Sequence, residues 1–497
     1  MFPRWLVYVI FVHGVLSTSN TILEMMLNAV SLPLQAFFNE SIYDHYGIVL
    51  DTQGMSLVVS MMPSLDLLGF FFSLLLAVPF MDSKGRRFVS VYVRVFSMIL
   101  SSLAYVLAKY SNSIELYGVA QFLLGFVQPL KMIVVKIYLS ECVPDRYRAF
   151  TALMVASCLI VPGFISTLLF LPSVFGNEES WQVVPKVCAG MEVLYLCLAA
   201  WLPESPKWLM DAEKPEEDVR KAIRFYHGEE ENVAKVMRDI REEIDLGAHH
   251  RMSLWEVYQN ETFRSIFKII FAALLSSSLS MTCITQNYTQ RLLLEYGYNV
   301  ENSFLLTGVL QIALVPLLIV NPFLYERMGR RPLYLFSALC GIFQIFLLYG
   351  AQLITDINHG SNTVTFVLGT LSMVVNGIAG TTGLINAFII FISDLLPPGA
   401  KVSVTQFVLL INLVVQIPAV FFFGNLLTLL GSWTFLPFLV LQILIFAYMF
   451  LYLPETKQLS VVSNIRRVEA SLHHGSEESG KHEETTPLLT ERKTYGT

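Results

Sequence analysis

Charge is scarce in these 497 residues: Asp, Glu, Lys and Arg supply 14%, against about 25% in an ordinary soluble domain. That shortage excludes a soluble enzyme with a large core. Basic residues do not outnumber acidic ones, and the formal net charge is -6, so the surplus that nucleic-acid binding needs is missing. Cysteine is sparse too. Cys142, Cys158, Cys188, Cys197, Cys283 and Cys340 show no CxxC or metal-ligand spacing, so they read as small hydrophobes, and neither metal nor cofactor is expected. No nucleophile has a base at credible spacing, so enzymatic activity is not expected either. Apolar residues, by contrast, make up 54% of the chain and set the mean hydropathy at +0.58. These values predict a polytopic membrane protein.

Apolar runs broken by polar punctuation fall at about 5–30, 55–81, 88–109, 115–139, 150–173, 182–202, 264–290, 303–325, 332–354, 363–393, 402–426 and 430–453. Each is close to the roughly 20 residues that cross a bilayer as a helix. The expectation is an all-α membrane protein with twelve spans. The first run imitates a signal peptide, with Arg4 before it and Ser17, Thr18 and Ser19 within it. Cleavage is not expected, because the apolar register continues to Leu27 and an even count requires this helix. Short loops on one side carry Lys84, Arg86, Arg87, Arg146, Arg148, Arg327, Arg330, Arg331 and Lys401; the other side has Lys109, Lys186 and Arg291. The positive-inside rule places the rich side, with both termini, in the cytoplasm. Asn39, in an Asn-Glu-Ser sequon of the first outer loop, is then an accessible glycosylation site.

The chain divides into a first bundle over 1–202, a charged linker over 203–263 with amphipathic helices, a second bundle over 264–453, and a tail over 454–497 whose composition cannot sustain a core. The two bundles repeat each other. DSKGRR at Asp82 recurs as ERMGRR at Glu326, SECVPDRYR around Glu141 as SDLLPPGAK around Asp394, and PESPKW at Pro203 as PETKQ at Pro454. Three pairs in one order at a nearly constant offset imply duplication, with a pathway where the halves meet. The motifs put Asp82, Glu141, Glu204, Glu326, Asp394 and Glu455 beside Arg86, Arg87, Arg148, Arg330, Arg331 and Lys401. Arginine grips carboxylates with two bonds, so these groups are expected to form a cytoplasmic salt-bridge gate. The blander alternative is that they anchor helix ends among headgroups.

In this order the motifs resemble the signature set of the facilitative glucose transporters, in the sugar-porter branch of the major facilitator superfamily. The resemblance runs from about residue 5 to 457 and implies the major facilitator fold with alternating access. Carrying the family's sugar-binding positions over by gap-free counting puts the span-five glutamine on Ala156. The span-seven amides fall on Ser277, Ser278 and Cys283, the span-eight asparagine on Leu314, and the span-ten tryptophan on Ile389. Asn412 alone keeps its amide, and Gln121 replaces a span-four arginine. Ser277, Ser278, Cys283, Asn386 and Asn412 are the expected substrate contacts. A buried hydroxyl left unpaired costs about 1–3 kcal/mol, so this lining is expected to disfavour hexoses.

Ionisable residues at membrane depth are functional candidates. Glu24, Asp66 and Glu192 are candidates for a proton site. Against that reading, Glu24 reaches the outer interface, Arg94 and Lys136 snorkel to the cytoplasmic face, and Asp66 or Glu192 pairs with Lys131. In the tail, Glu484 followed by Leu488 and Leu489 has the acidic dileucine form that clathrin adaptors bind, which implies an endosomal or lysosomal membrane; the plasma membrane is the alternative. Three functions fit: facilitative uniport of a small solute such as a sugar or polyol, proton-coupled symport of a non-hexose solute, or a non-transporting sensor or scaffold.

Overall fold

The computed structural model describes residues 4–144, 151, 160–228, 233–248, 254–384, 387–396 and 398–455, and among them every regular element is helical. Among the described residues, nine helical stretches are long and apolar enough to cross a membrane. One of them, Val404–Tyr452, holds spans eleven and twelve, divided by the turn Gly431–Thr434. Span six is the helix Val183–Ala199, and span five contributes Ile160–Leu169. Twelve spans are thereby accounted for. Between spans six and seven lie the short helices Pro206–Asp211, Glu216–His227, Val233–Ala248 and Leu254–Gln259.

Chain parity gathers both GRR turns and the ends of spans six and twelve at one end of the bundle, the motif end. There the two halves are built alike. Span three starts at the turn after Gly85, and the Glu204 carboxylate accepts the Arg87 backbone N–H at 2.9 and 3.1 Å. Span nine starts after Gly329, where Glu455 accepts the N–H groups of Arg330 and Arg331 at 3.0 and 3.2 Å. A helix N-terminus leaves such N–H groups without partners and carries a partial positive charge, so an anion is the natural cap. The arginine side chains serve the opposite pole: Arg87 donates to the Ala200 carbonyl ending span six, and Arg331 to the Phe450 carbonyl ending span twelve. Gly85 and Gly329 have φ of 105° and 98°, and a Cβ at either would overlap the capping carboxylate. Only glycine makes this turn cheaply.

Several spans are irregular at membrane depth. Span one widens over Phe11–Val15 and tightens over Leu16–Thr18; span four widens over Leu130–Val135 just after Pro129, whose ring removes a donor. Span seven breaks between Glu261–Ser278 and Met281–Glu295, where Ser280 caps the second piece through the Cys283 N–H. Span ten runs as Thr363–Thr381 and resumes at Ala387–Leu395. Broken backbone is tolerated within a membrane only against protein or a water-filled cavity, so the breaks point to the interface between the halves.

The first outer segment differs from expectation: residues read as a loop form the helix Ser31–Tyr46. Leu34, Phe37, Phe38 and Ile42 recur at helical spacing and bury one face. Asn39 sits on the exposed face. Replacing Gly85 or Gly329 by alanine is expected to cost about 1–3 kcal/mol each, and thermal unfolding of the purified protein measures it. An unchanged midpoint would mean the carboxylates do not pack on the glycines.

Candidate functional site

Between the halves lies a cavity of about 520 Å³. The first half lines it with Thr21, Glu24 and Asn28 of span one, Asp66 of span two, Gln121 of span four and Thr167 of span five. From the second half come Gln286, Asn287 and Gln290 of span seven, Thr307 and Gln311 of span eight, Asn376 of span ten and Gln416 of span eleven. Apolar walls alternate with these groups, among them Leu27, Leu67, Phe170, Phe304, Leu314 and Met373. A volume of this size with convergent amides and hydroxyls suits a small polar solute.

The cavity lies nearer the far end, opposite the motifs, and hydrogen bonds between the halves close it there. Asn28 donates to the Gln286 carbonyl and accepts from the Gln290 N–H, both at 3.0 Å. Ser56 of span two donates to the Gly424 carbonyl of span eleven at 2.9 Å. Arg291 spans both halves, with one nitrogen 3.2 Å from Ser56 and the other 2.8 Å from Thr428. Tyr288 adds a bond to Ser60 at 3.2 Å. Spans one and seven, two and seven, and two and eleven make these hydrogen bonds, and span five packs against span eight.

Position by position, the expected substrate contacts need correction. Ser277, Ser278 and Cys283 are buried, and neither they nor Asn412 are among the lining residues. They stand one layer behind: Ser278 donates to Asn412, Asn412 to Gln416, and Gln416 reaches the Cys283 sulfur. For the span-seven positions the reason is depth, since they precede or adjoin its break whereas the cavity opens against the helix after it. Asn386 lies outside the described residues. The amides absent from the counted positions are matched by others that counting did not find, Gln286, Asn287, Gln290, Gln311 and Asn376. The signal of the first three was legible, because an amide-rich run, TQNYTQR, interrupts an apolar span. The lining is therefore richer in amides than expected.

Glu192 also needs correction. It does not pair with Lys131 or face the cavity; it is fully buried, and Arg94, equally buried, grips it with two bonds at 3.0 and 2.9 Å. Arg94 does not snorkel. Its guanidinium stacks 4.2 Å over the Tyr195 ring, and Ser19 donates to the same carboxylate. Lys131 instead donates to Asn20 and Thr21 at 2.9 and 2.8 Å. Glu24 and Asp66 do reach the cavity wall, so Glu24 is not an interface anchor.

At the motif end Arg86 holds Glu141 through Nε at 3.0 Å and Asp82 at 3.4 Å. Ser205 donates to Glu141 as well, so the turn after span two is tied to the ends of spans four and six. Glu204 is capped by backbone rather than by an arginine side chain. Burial pushes its carboxyl up from the ordinary value, against the pull of the Arg87 and Ser205 N–H groups. Arg148, the tail residues Glu484, Leu488 and Leu489, and the side chains of Glu326, Asp394 and Lys401 lie outside the described residues.

Comparison with known proteins agrees with this geometry. A family described as "Sugar (and other) transporter" matches residues 7–464. The facilitated glucose transporter member 5 of solute carrier family 2 from Bos taurus is 24% identical over 442 residues, 87% of this chain and 85% of its own length. Member 7 from Homo sapiens is 24% identical over 320 residues, 63% and 62% of the two chains. The inward-open xylose transporter XylE from E. coli superposes with a TM-score of 0.72 at 15% identity, covering 93% of this chain and 99% of that one. Replacing Glu192 alone by glutamine strands Arg94 and is expected to cost about 3–5 kcal/mol, whereas Arg94→Met with Glu192→Leu costs much less. Unfolding midpoints of the two variants test this; equal losses would show that the pair is not coupled.

Proposed function

This chain belongs to the sugar (and other) transporter family, and from that premise we propose that its cavity binds a sugar or related polyol and releases it on the other side of the bilayer. The protein is a multi-pass membrane transporter of a small solute with the major facilitator fold, not an enzyme. The observation that carries the substrate reading is the cavity itself: amides and hydroxyls from both halves converge on one volume. In the folded protein a polyol's hydroxyls find partners there, and each bond contributes about 0.5–1.5 kcal/mol. Gln286 and Asn287 make no side-chain hydrogen bond among the described residues and are open to solute.

Transport proceeds by facilitative alternating access. With the far end closed by Asn28, Ser56, Tyr288 and Arg291, the solute leaves toward the motif end. Parting these contacts and closing the motif end reverses the access. The motif groups Asp82, Arg86, Arg87, Glu141, Arg148, Glu204, Glu326, Arg330, Arg331, Asp394, Lys401 and Glu455 form the gate that closes. The short-loop basic residues support a cytoplasmic motif end. In that orientation Asn39 is available for glycosylation, and the acidic dileucine of the tail supports adaptor binding and an endosomal or lysosomal membrane. Proton symport and a sensor role are not favoured by the family match.

Radiolabelled sugars and polyols presented to proteoliposomes should show saturable uptake by the most tightly bound solute. Asn376→Ala or Gln311→Ala should raise its half-saturating concentration roughly tenfold, the equivalent of one lost hydrogen bond of about 1.4 kcal/mol. Uptake equal to empty vesicles across the panel would contradict transport.

A further inference from the structure

The cavity wall carries acids that a neutral polyol does not answer. Among the described residues, Glu24 and Asp66 are the ionisable groups of its lining, with no lysine, arginine or histidine beside them. Glu24 is exposed to the cavity, and Asp66 has a buried carboxylate oxygen with no hydrogen-bond partner. Both carboxyls line the same cavity. Behind the wall, Lys131 is held by Asn20 and Thr21 rather than by either acid. Arg94 is spent on Glu192. Two carboxyls and one lysine leave the wall with more acid than base, in surroundings where a charge without a partner is expensive.

Resting on the reading of this cavity as the solute site, we infer that it selects solutes bearing one ammonium group beside their hydroxyls, an amino sugar or amino polyol. The ammonium sits between Glu24 and Asp66 and balances the wall. The hydroxyls meet Gln286, Gln311 and Asn376 on the opposite side. An N-acylated analogue keeps the hydroxyls but loses the charge and gains an acyl group, whereas the parent hexose loses the charge at nearly equal size, so both leave the acids unanswered. Carrying a monocation without a co-ion also moves charge, so transport is electrogenic.

The test uses the full-length protein in proteoliposomes at mildly acidic pH, where amines are protonated, with D-glucosamine, N-acetyl-D-glucosamine and D-glucose as probes. Glucosamine should compete for uptake at concentrations at least roughly tenfold below the two neutral sugars and should produce an inward current with equal pH on both sides. Glu24→Gln and Asp66→Asn should each raise the glucosamine requirement by a similar factor; thermal unfolding shows whether each variant is folded, and the competition in unmodified protein does not depend on them. Neutral sugars competing as well as glucosamine would overturn the inference while leaving the solute site standing. A glucose-dependent proton current that Glu24→Gln abolishes would overturn it too, since the acids would then hold a proton. Absence of saturable uptake for all three probes would overturn the solute-site reading and the inference with it.

Discussion

A carboxylate set against the first N–H groups of a helix fixes each half of this protein. Glu204 does so for span three and Glu455 for span nine. The interaction is strong because it joins a full negative charge to aligned N–H donors and to the positive pole of the helix. Each cap also sets geometry: it holds the end of span six or twelve against the start of span three or nine, while Arg87 and Arg331 close the loop onto the carbonyls of Ala200 and Phe450. With the motif end tied within each half, a half moves as a unit, and the compliant surface is the one between them.

That surface holds the irregular helices. The breaks in spans seven and ten release backbone and side-chain polar groups at membrane depth, where leaving them unpaired is costly. Span seven answers with Ser280 as a cap and with polar side chains turned to the cavity and to the far-end contacts. The same short helix, Met281–Glu295, carries Gln286 and Gln290 to the cavity and Tyr288 and Arg291 to the other half. Solute contact and closure therefore share one element, which is what coupling them requires.

The architecture was legible in the sequence because apolar length and a repeated motif are one-dimensional signals. Partners were not. The GRR arginines and the PES and PET acids looked like salt-bridge partners, yet Glu204 and Glu455 take backbone N–H groups; spacing reveals which charges gather, not which atom each one meets. Arg94 resembled a snorkelling residue because nothing near it in sequence is acidic; Glu192 reaches it from 98 residues away. The expected sugar contacts at Ser277, Ser278 and Cys283 lie a layer too deep, since a count along the helix keeps spacing but not the depth at which a cavity opens. The helix Ser31–Tyr46 was missed as a loop although its apolar residues recur at helical spacing.

The central claim is that the far-end contacts between the halves must part for solute to pass. It is tested by replacing Ser56 and Thr428 with cysteine, since their hydroxyl oxygens lie 3.2 Å apart, with the exposed Cys197 changed to serine. Oxidation to the disulfide should abolish solute uptake into proteoliposomes, and reduction should restore it. Undiminished uptake by fully cross-linked protein would contradict the account.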